Sequence, residues 1–385
     1  MSNSTGKPLK IVYLTPALYM AGGVERVLTQ KANYFAEHFG YDITIILTEG
    51  MGKSFAYPLF DKIKVINLDI NFEELWNCSL VKKIYIYLKK QREYKRKLTA
   101  ELMRIRPDIT DSLLRREINF ITEINDGSKK IGELHVNRSN YRNFEANETS
   151  WFKELFAKYW MRSLVRSLKK LDRFVVLTEE DKQAWNELDN VVVIHNPLSF
   201  NSTSISPLTE KRVIAVGRYA YQKGFDLLLQ AWAKVEKTVN DWRLDVFGDG
   251  DRSSYERLVY ELKIDHSRCQ LHGRTNDVER EYVNSSLFVM SSRFEGFGMV
   301  ITEAMVCGLP VVAFNCPWGP SAIITDGEDG LLVENGHVEA LANALVRLMG
   351  DEHLRRSMAE AGVRNVQRFS LDSIAQRWKV LFESI

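Results

Sequence analysis

Along almost the whole chain, apolar runs of strand length alternate with amphipathic stretches of helix length, and the alternation begins twice. In the first half, 11–15 reads as a buried strand, 24–38 as an amphipathic helix, and 43–47 and 63–67 as further strands. A helical pattern over 98–105 stops at Pro107, and strands at 174–177 and 191–195 flank a helix at 179–188. The segment 196–210, with Asn196, Pro197, Asn201 and Pro207 among many Ser and Thr, has the chemistry of a loop. The pattern then restarts with strands at 213–216, 244–247, 287–291 and 310–314 and helices at 225–235, 255–262, 300–306 and 338–349. A last helical stretch, 374–385, carries Trp378 and Leu381. Alternation of this kind requires parallel sheets covered by helices on both faces. The expected fold class is therefore α/β, with two Rossmann-like, doubly wound parallel-sheet domains facing a central cleft. Their expected limits are 1–198 and 199–368, with the helix of 369–385 packing back on the first domain. A length of 385 residues suits two domains of roughly 100–200 residues each.

Charge and cysteine content exclude several classes. The net charge is +2, which does not suit a bulk nucleic-acid binder. Residues 1–198 carry 31 Lys and Arg against 25 Asp and Glu, so the first half is basic and the second mildly acidic. Cys78, Cys269, Cys307 and Cys316 are scattered without metal or redox spacing, and Cys307 lies in an apolar pattern suited to a core. The histidines also lack metal-ligand spacing. No apolar run approaches the ~18 residues of a membrane span, and 11–14 is too short for a leader. The expectation is a cytoplasmic protein in a reducing compartment.

Five motifs have the chemistry of a site. Gly22-Gly23-Val24-Glu25-Arg26 follows a strand and opens a helix. Glycines there let the backbone approach a ligand, and free N–H groups at a helix start suit a phosphate. A plain tight turn explains the same residues equally well. Gly217-Arg218 follows a strand, and Lys223-Gly224 precedes a helix. Two cations at the carboxyl end of a parallel strand can neutralise a departing diphosphate, whereas most surface cations are only solvated. The third motif, Glu295-Gly296-Phe297-Gly298-Met299, runs on to Glu303 inside the next helix. Glu295 and Glu303 can accept hydrogen bonds from hydroxyls, and the N–H groups near Phe297–Met299 are unpaired at the helix start. Fourth, His135 follows a short apolar run, where a lone histidine is ordinarily structural. Asp249-Gly250-Asp251 reads as a turn rather than a cation site. The fifth feature is a pair of basic stretches, 82–97 and 158–173, interleaved with apolar residues. Each fits either a solvated helix face or peripheral contact with an anionic membrane.

Together these motifs resemble glycosyltransferase family 4, retaining enzymes of the two-Rossmann B fold (GT-B). The likeness covers nearly the whole chain and is strongest over 22–26 and 213–333, where Cys316-Pro317-Trp318-Gly319-Pro320 and the run 326–333 add to it. It looks closest to the exopolysaccharide branch that includes the amylovoran-type transferases. The resemblance implies that Arg218 and Lys223 bind the donor diphosphate, that Glu295 contacts the donor sugar and that Glu303 holds the ribose. It also implies that Gly22 and Gly23 close over the phosphates, that Arg274 lies in the base-contacting loop, and that Phe297, Gly298 and Met299 line the phosphate site. His135 is similar to a family histidine beside the donor sugar, and with Glu295, Arg218 and Lys223 forms the expected catalytic set. The family generally needs no metal and no cofactor. Its donor is a nucleotide-diphosphate sugar, most commonly linked to UDP. A saccharide acceptor, lipid-linked at the inner face of a membrane, is the expected partner. The stretch 108–150 departs from the family pattern and leaves the acceptor side open.

Rival readings remain at this stage. A sugar-nucleotide epimerase of the same fold needs dedicated acid and base groups, and His135 is the only candidate. A phosphorylase-like enzyme needs a much longer chain. A non-catalytic sugar-nucleotide-binding module fits less well with Arg218, Lys223, Glu295 and Glu303 all in place.

Overall fold

The computed structural model describes residues 7–77, 80–138 and 151–385, with side chains described outside 75–81 and 151–158. Cys78, Asn140, Asn147 and the side chain of Lys158 lie outside that description. The chain divides into two compact units, 1–194 with 374–385, and 195–373. The sequence places its own limits at 198/199 and 368/369.

The first unit begins β1 (Lys10–Thr15), α1 (Gly23–His38), β2 (Asp42–Leu47), β3 (Lys64–Asn67), α2 (Leu80–Ile105) and β4 (Ile109–Ser112). It continues with β5 (Lys129–Glu133), α3 (Trp151–Leu168), β6 (Arg173–Val176), α4 (Glu179–Ala184) and β7 (Val191–Val193). Its seven strands run in the order β3-β2-β1-β4-β5-β6-β7, all parallel. Successive β1 side chains point to opposite faces. Ile11 and Tyr13 pack beneath Leu28, Ala32 and Phe35 of α1, while Val12 and Leu14 pack with Leu98 and Leu102 of α2 and Leu164 of α3. Such side chains contribute about 1.5–3 kcal/mol each on burial.

Two expectations need correction here. The helix expected at 98–105 begins at Leu80 and includes the basic stretch 82–97. Residues 80–105 contain no Gly or Pro and many straight-chain Lys, Arg and Leu, which favour one long helix. It ends where Arg106 takes φ 49° ahead of Pro107. The stretch from 108, read as irregular, contains β4 and β5. β4 reads Ile-Thr-Asp-Ser, and Thr110, Asp111 and Ser112 are all 0% exposed. Buried parallel strands ordinarily read as apolar runs, so these polar residues concealed a central strand.

The second unit contains β8 (Arg212–Val216), α5 (Phe225–Val235), β9 (Arg243–Phe247), α6 (Ser253–Glu261), β10 (Cys269–His272), α7 (Val278–Val283) and β11 (Leu287–Met290). It continues with α8 (Met299–Val306), β12 (Val311–Asn315), α9 (Pro320–Ile323), β13 (Gly330–Glu334), α10 (Val338–Gly350) and α11 (Glu352–Asn365). Its parallel strands follow the order β10-β9-β8-β11-β12-β13. The core gathers Leu228 and Trp232 of α5, Val246 of β9 and Leu345 of α10. Cys307, Cys269 and Cys316 are buried and form no disulfide among the described residues. β10, β13, α7 and α11 have no counterpart in the sequence reading. The last helix, α12 (Leu371–Glu383), returns to the first unit, where Trp378, Leu381 and Phe382 join the Tyr13 and Phe35 cluster.

Both sheets reverse their strand order beside their first strand, between β1 and β4 and between β8 and β11. A ligand crevice lies outside the carboxyl ends of the strands at such a reversal.

Candidate active site

The β8/β11 reversal carries the densest set of predicted residues. β8 runs into Gly217 and Arg218, and the chain turns back through a short 3-10 segment at Tyr221–Lys223. β11 runs into Ser291, Ser292 and the Glu295 loop. Lys223 Nζ donates to Glu295 Oε1 at 2.6 Å, and Ser292 Oγ donates to the same oxygen at 2.7 Å. Glu295 is 6% exposed. Arg218 is exposed and forms no hydrogen bond or ion pair with a described residue, so its guanidinium is available to a ligand.

Close backbone packing explains the glycines. Gly224 has φ +60°, and a Cβ there would lie 2.1 Å from the Ser291 carbonyl oxygen. A Cβ on Gly248 would lie 1.8 Å from the Gly217 carbonyl oxygen. Ser291 Oγ donates to the Lys223 carbonyl at 2.9 Å, tying the two loops together. Arg293 completes the clamp by donating to Asp226 through two nitrogens, at 2.8 and 2.6 Å, and to the Tyr221 carbonyl at 2.8 Å. Burial alone would push the Asp226 carboxyl up, but the Arg293 guanidinium outweighs it and holds the group below its usual range.

Beyond Glu295 the chain enters α8 through Gly298 at φ +97°, with no side chain capping the start. That leaves main-chain N–H groups as the donors at Phe297, Gly298 and Met299. The Phe297 ring is 2% exposed, stacks on His195 at 5.6 Å and meets Phe369 edge-on at 5.4 Å. Its side chain is thereby committed to packing. Gly319, at φ +145°, lets the Cys316–Pro320 turn pass against this loop, since a Cβ would lie 2.4 Å from the Phe297 carbonyl oxygen. Glu303 is buried within α8, and its Oε2 accepts the Tyr282 hydroxyl at 3.2 Å. Arg274 is exposed just past β10, two strands from β8. The run from Asp326 builds the entry to β13: Asp329 accepts the Thr325 N–H at 2.7 Å, and Asp326 accepts the Leu332 N–H at 2.8 Å. Asp251 accepts the Ser253 N–H at 2.9 Å, the behaviour of a turn residue.

In the first unit Gly22 is the N-cap of α1, and Gly23 opens the helix. His135 stands two residues past β5 with its side chain 7% exposed, and its Nε2 lies 3.3 Å from Glu133 Oε2. Sequence reasoning missed Glu133 and its other partner, Lys31. The available signal was a lysine on the apolar stripe of α1, between Leu28 and Phe35. It also missed Ser292, Tyr282 and the Arg293–Asp226 clamp. Among the described residues no group of three or more His, Cys, Asp or Glu gathers as a metal site. No helix there is long and apolar enough to cross a membrane.

Comparison with known proteins gives the fold a family context. Residues 210–351, which lie within the second unit, match the family model of glycosyl transferases group 1. The whole chain is similar to an uncharacterized glycosyltransferase of Haemophilus influenzae, 29% identical over 96% of this chain and 99% of that one. An amylovoran biosynthesis glycosyltransferase of Erwinia amylovora is 32% identical over 54% of this chain and 61% of its own length. A crystal structure of a Staphylococcus aureus TarM mutant, in complex with fondaparinux, alpha-GlcNAc-glycerol and UDP, superposes with a TM-score of 0.74. That match covers 97% of this chain and 99% of that one at 17% identity, and it shows the shared GT-B fold of two Rossmann-like domains.

Proposed function

With the group 1 glycosyltransferase match as premise, we propose that the chain transfers a hexose or N-acetylhexosamine from a nucleotide-diphosphate sugar to a saccharide acceptor with retention of configuration. The observation that carries this reading is the Lys223–Glu295 pair at the β8/β11 reversal, inside the matched segment, with the exposed Arg218 on the loop that follows β8. Arg218, Lys223 and the main-chain N–H groups opening α8 hold the diphosphate and stabilise the charge that develops as it leaves. Glu295 accepts hydroxyls of the donor sugar, Glu303 those of the ribose, and Arg274 contacts the base. UDP is the preferred nucleotide, because it is bound in the TarM structure of the same fold.

The bond between the anomeric carbon and the phosphate oxygen breaks, and one to the acceptor oxygen forms on the same face. The acceptor proton passes to the leaving phosphate oxygen. In the first unit, Gly22, Gly23 and His135 are the residues proposed for substrate contact. No metal or cofactor takes part. The acceptor is a saccharide, lipid-linked, used in surface polysaccharide assembly, with the protein peripheral at the inner face of a membrane. Support for the membrane contact comes from α2, which exposes Tyr85 and Leu88 beside Lys82, Lys89, Arg92 and Arg96. Lys90 and Lys95 are instead paired with Glu74 and Glu123. For α3 of the second basic stretch, exposed Tyr159 and Arg162 are consistent with the same contact.

The test is to incubate the protein with UDP-, GDP- and ADP-sugars, with EDTA present, and follow nucleotide diphosphate release in the presence of saccharide acceptors. Release from one nucleotide class and a product of unchanged anomeric configuration by proton NMR supports the reading. An inverted product overturns the mechanism, and absence of turnover with tight nucleotide binding favours a non-catalytic module.

A further inference from the structure

Lys31 occupies a position where the α1 pattern calls for an apolar side chain, and it is 2% exposed. An ammonium at that depth persists only with compensation. Its Nζ pairs with Glu133 Oε1 and lies 4.0 Å from Asp111 Oδ2. On another side it lies 3.8 Å from the centroid of the Trp378 ring of α12, a cation–π contact shielded from water. The second oxygen of Glu133, Oε2, faces His135 Nε2 at 3.3 Å. One carboxylate thus bridges the buried lysine and the histidine, with a separate oxygen for each.

The charge states follow from these surroundings. Burial works against ionised Glu133, but Lys31 and then His135 outweigh it and hold its carboxyl well below the usual range. Asp111 goes the other way, raised first by burial and then by the Glu133 charge. Burial and charge thus set the two carboxyls apart, with Glu133 held low beside Lys31 and Asp111 raised. A carboxylate only accepts hydrogen bonds, so Nε2 of His135 must carry the donated proton. His135 Nδ1 is buried and has no hydrogen-bond partner among the described residues.

We propose that Lys31 and Glu133 are positioning residues for His135, which fix its imidazole with the proton on Nε2, and that Trp378 ties the docking of α12 to the same buried charge. A role of His135 in transfer rests on the glycosyltransferase reading above; the fixed tautomer and the link to α12 do not.

The experiment uses the full chain, ligand-free at neutral pH, labelled with 15N-histidine. Two-bond proton–nitrogen correlations report which ring nitrogen carries the proton, and His135→Asn identifies the His135 signals. The wild-type ring should show the Nε2–H pattern. Lys31→Met should abolish that single pattern, because Glu133 then loses the charge that keeps it an acceptor. Trp378→Leu should perturb the pattern, and Trp378→Phe, which restores an aromatic face, should return it. Should Lys31→Met fail to fold, the nearly isosteric Glu133→Gln decides with the same readout. In an activity assay Glu133→Gln should lower kcat roughly tenfold with little change in donor KM. A wild-type Nδ1–H pattern overturns the proposal, as does a wild-type pattern that survives both Lys31→Met and Glu133→Gln. A wild-type Nε2–H pattern in a protein without transferase activity removes the role of His135 in transfer and leaves the positioning intact.

Discussion

Each unit pairs a lysine with a glutamate near the reversal of its sheet, and the two pairs differ in depth. In the second unit Lys223 and Glu295 meet with side chains 15% and 8% exposed, in loops leaving adjacent strands. In the first, Lys31 and Glu133 are 3% and 4% exposed, covered by α1 and α12. The outer pair can release its partner to an incoming ligand. The inner pair has no water to replace its partner, so it is fixed and acts through what it holds. Depth thus separates a pair suited to chemistry from a pair suited to positioning.

The largest expected effect sharpens that contrast. Lys31→Ala leaves Glu133 buried without its counter-ion and should destabilise the chain by about 3–5 kcal/mol, read as a lowered denaturant midpoint. The double change Lys31→Met with Glu133→Leu should recover most of that loss, since apolar residues of similar volume replace such pairs well. A double variant as unstable as Lys31→Ala breaks the account of the inner pair. Lys223→Ala should do the reverse, lowering kcat by about 10²–10³-fold with an almost unchanged thermal midpoint. Equal losses of stability at both sites would erase the distinction.

Arg218→Ala comes next. It removes a charged donor already exposed to solvent, so affinity for a nucleotide diphosphate should fall by about 1.5–3 kcal/mol in calorimetry, with the fold intact. Glu303→Ala should also weaken nucleotide binding, accompanied by some loss of stability because Glu303 is buried against Tyr282. Unchanged affinity in both variants contradicts the donor-site assignment.

The smallest effect is on pH dependence, and it belongs to the first unit. Burial raises the Asp181 carboxyl from 3.8 to about 6, so the folded chain keeps a proton that the unfolded chain releases. Its contribution is fully present below 3.8 and is lost as pH rises through about 6. Asp181→Asn should flatten that part of the stability profile in denaturant titrations, while Asp226→Asn in the second unit should not, because Arg293 holds Asp226 low. A slope unchanged in Asp181→Asn assigns the pH dependence to other groups.

The same contrast accounts for what was legible in the sequence. Arg218, Lys223, Glu295 and Glu303 lie in short stretches next to strands whose apolar runs are plain, so local pattern and chemistry pointed to them together. The inner cluster draws on residues 13, 31, 111, 133, 135 and 378, and nothing local joins them. β4 was hidden for the same reason, because Asp111 and its polar neighbours in that strand are buried. β10 reads Cys-Gln-Leu-His, too short and too mixed for a periodicity argument. The long basic α2 looked like surface chemistry, although Tyr94, Leu98 and Leu102 anchor it in the core.

The most direct test is a calorimetric titration of wild-type protein and Lys223→Met with UDP, GDP and ADP in EDTA. Selective binding of one nucleotide diphosphate by the wild type, much weakened in Lys223→Met, is the predicted result. Equal affinity in the two proteins, or no binding by the wild type, contradicts a donor site at the β8/β11 reversal.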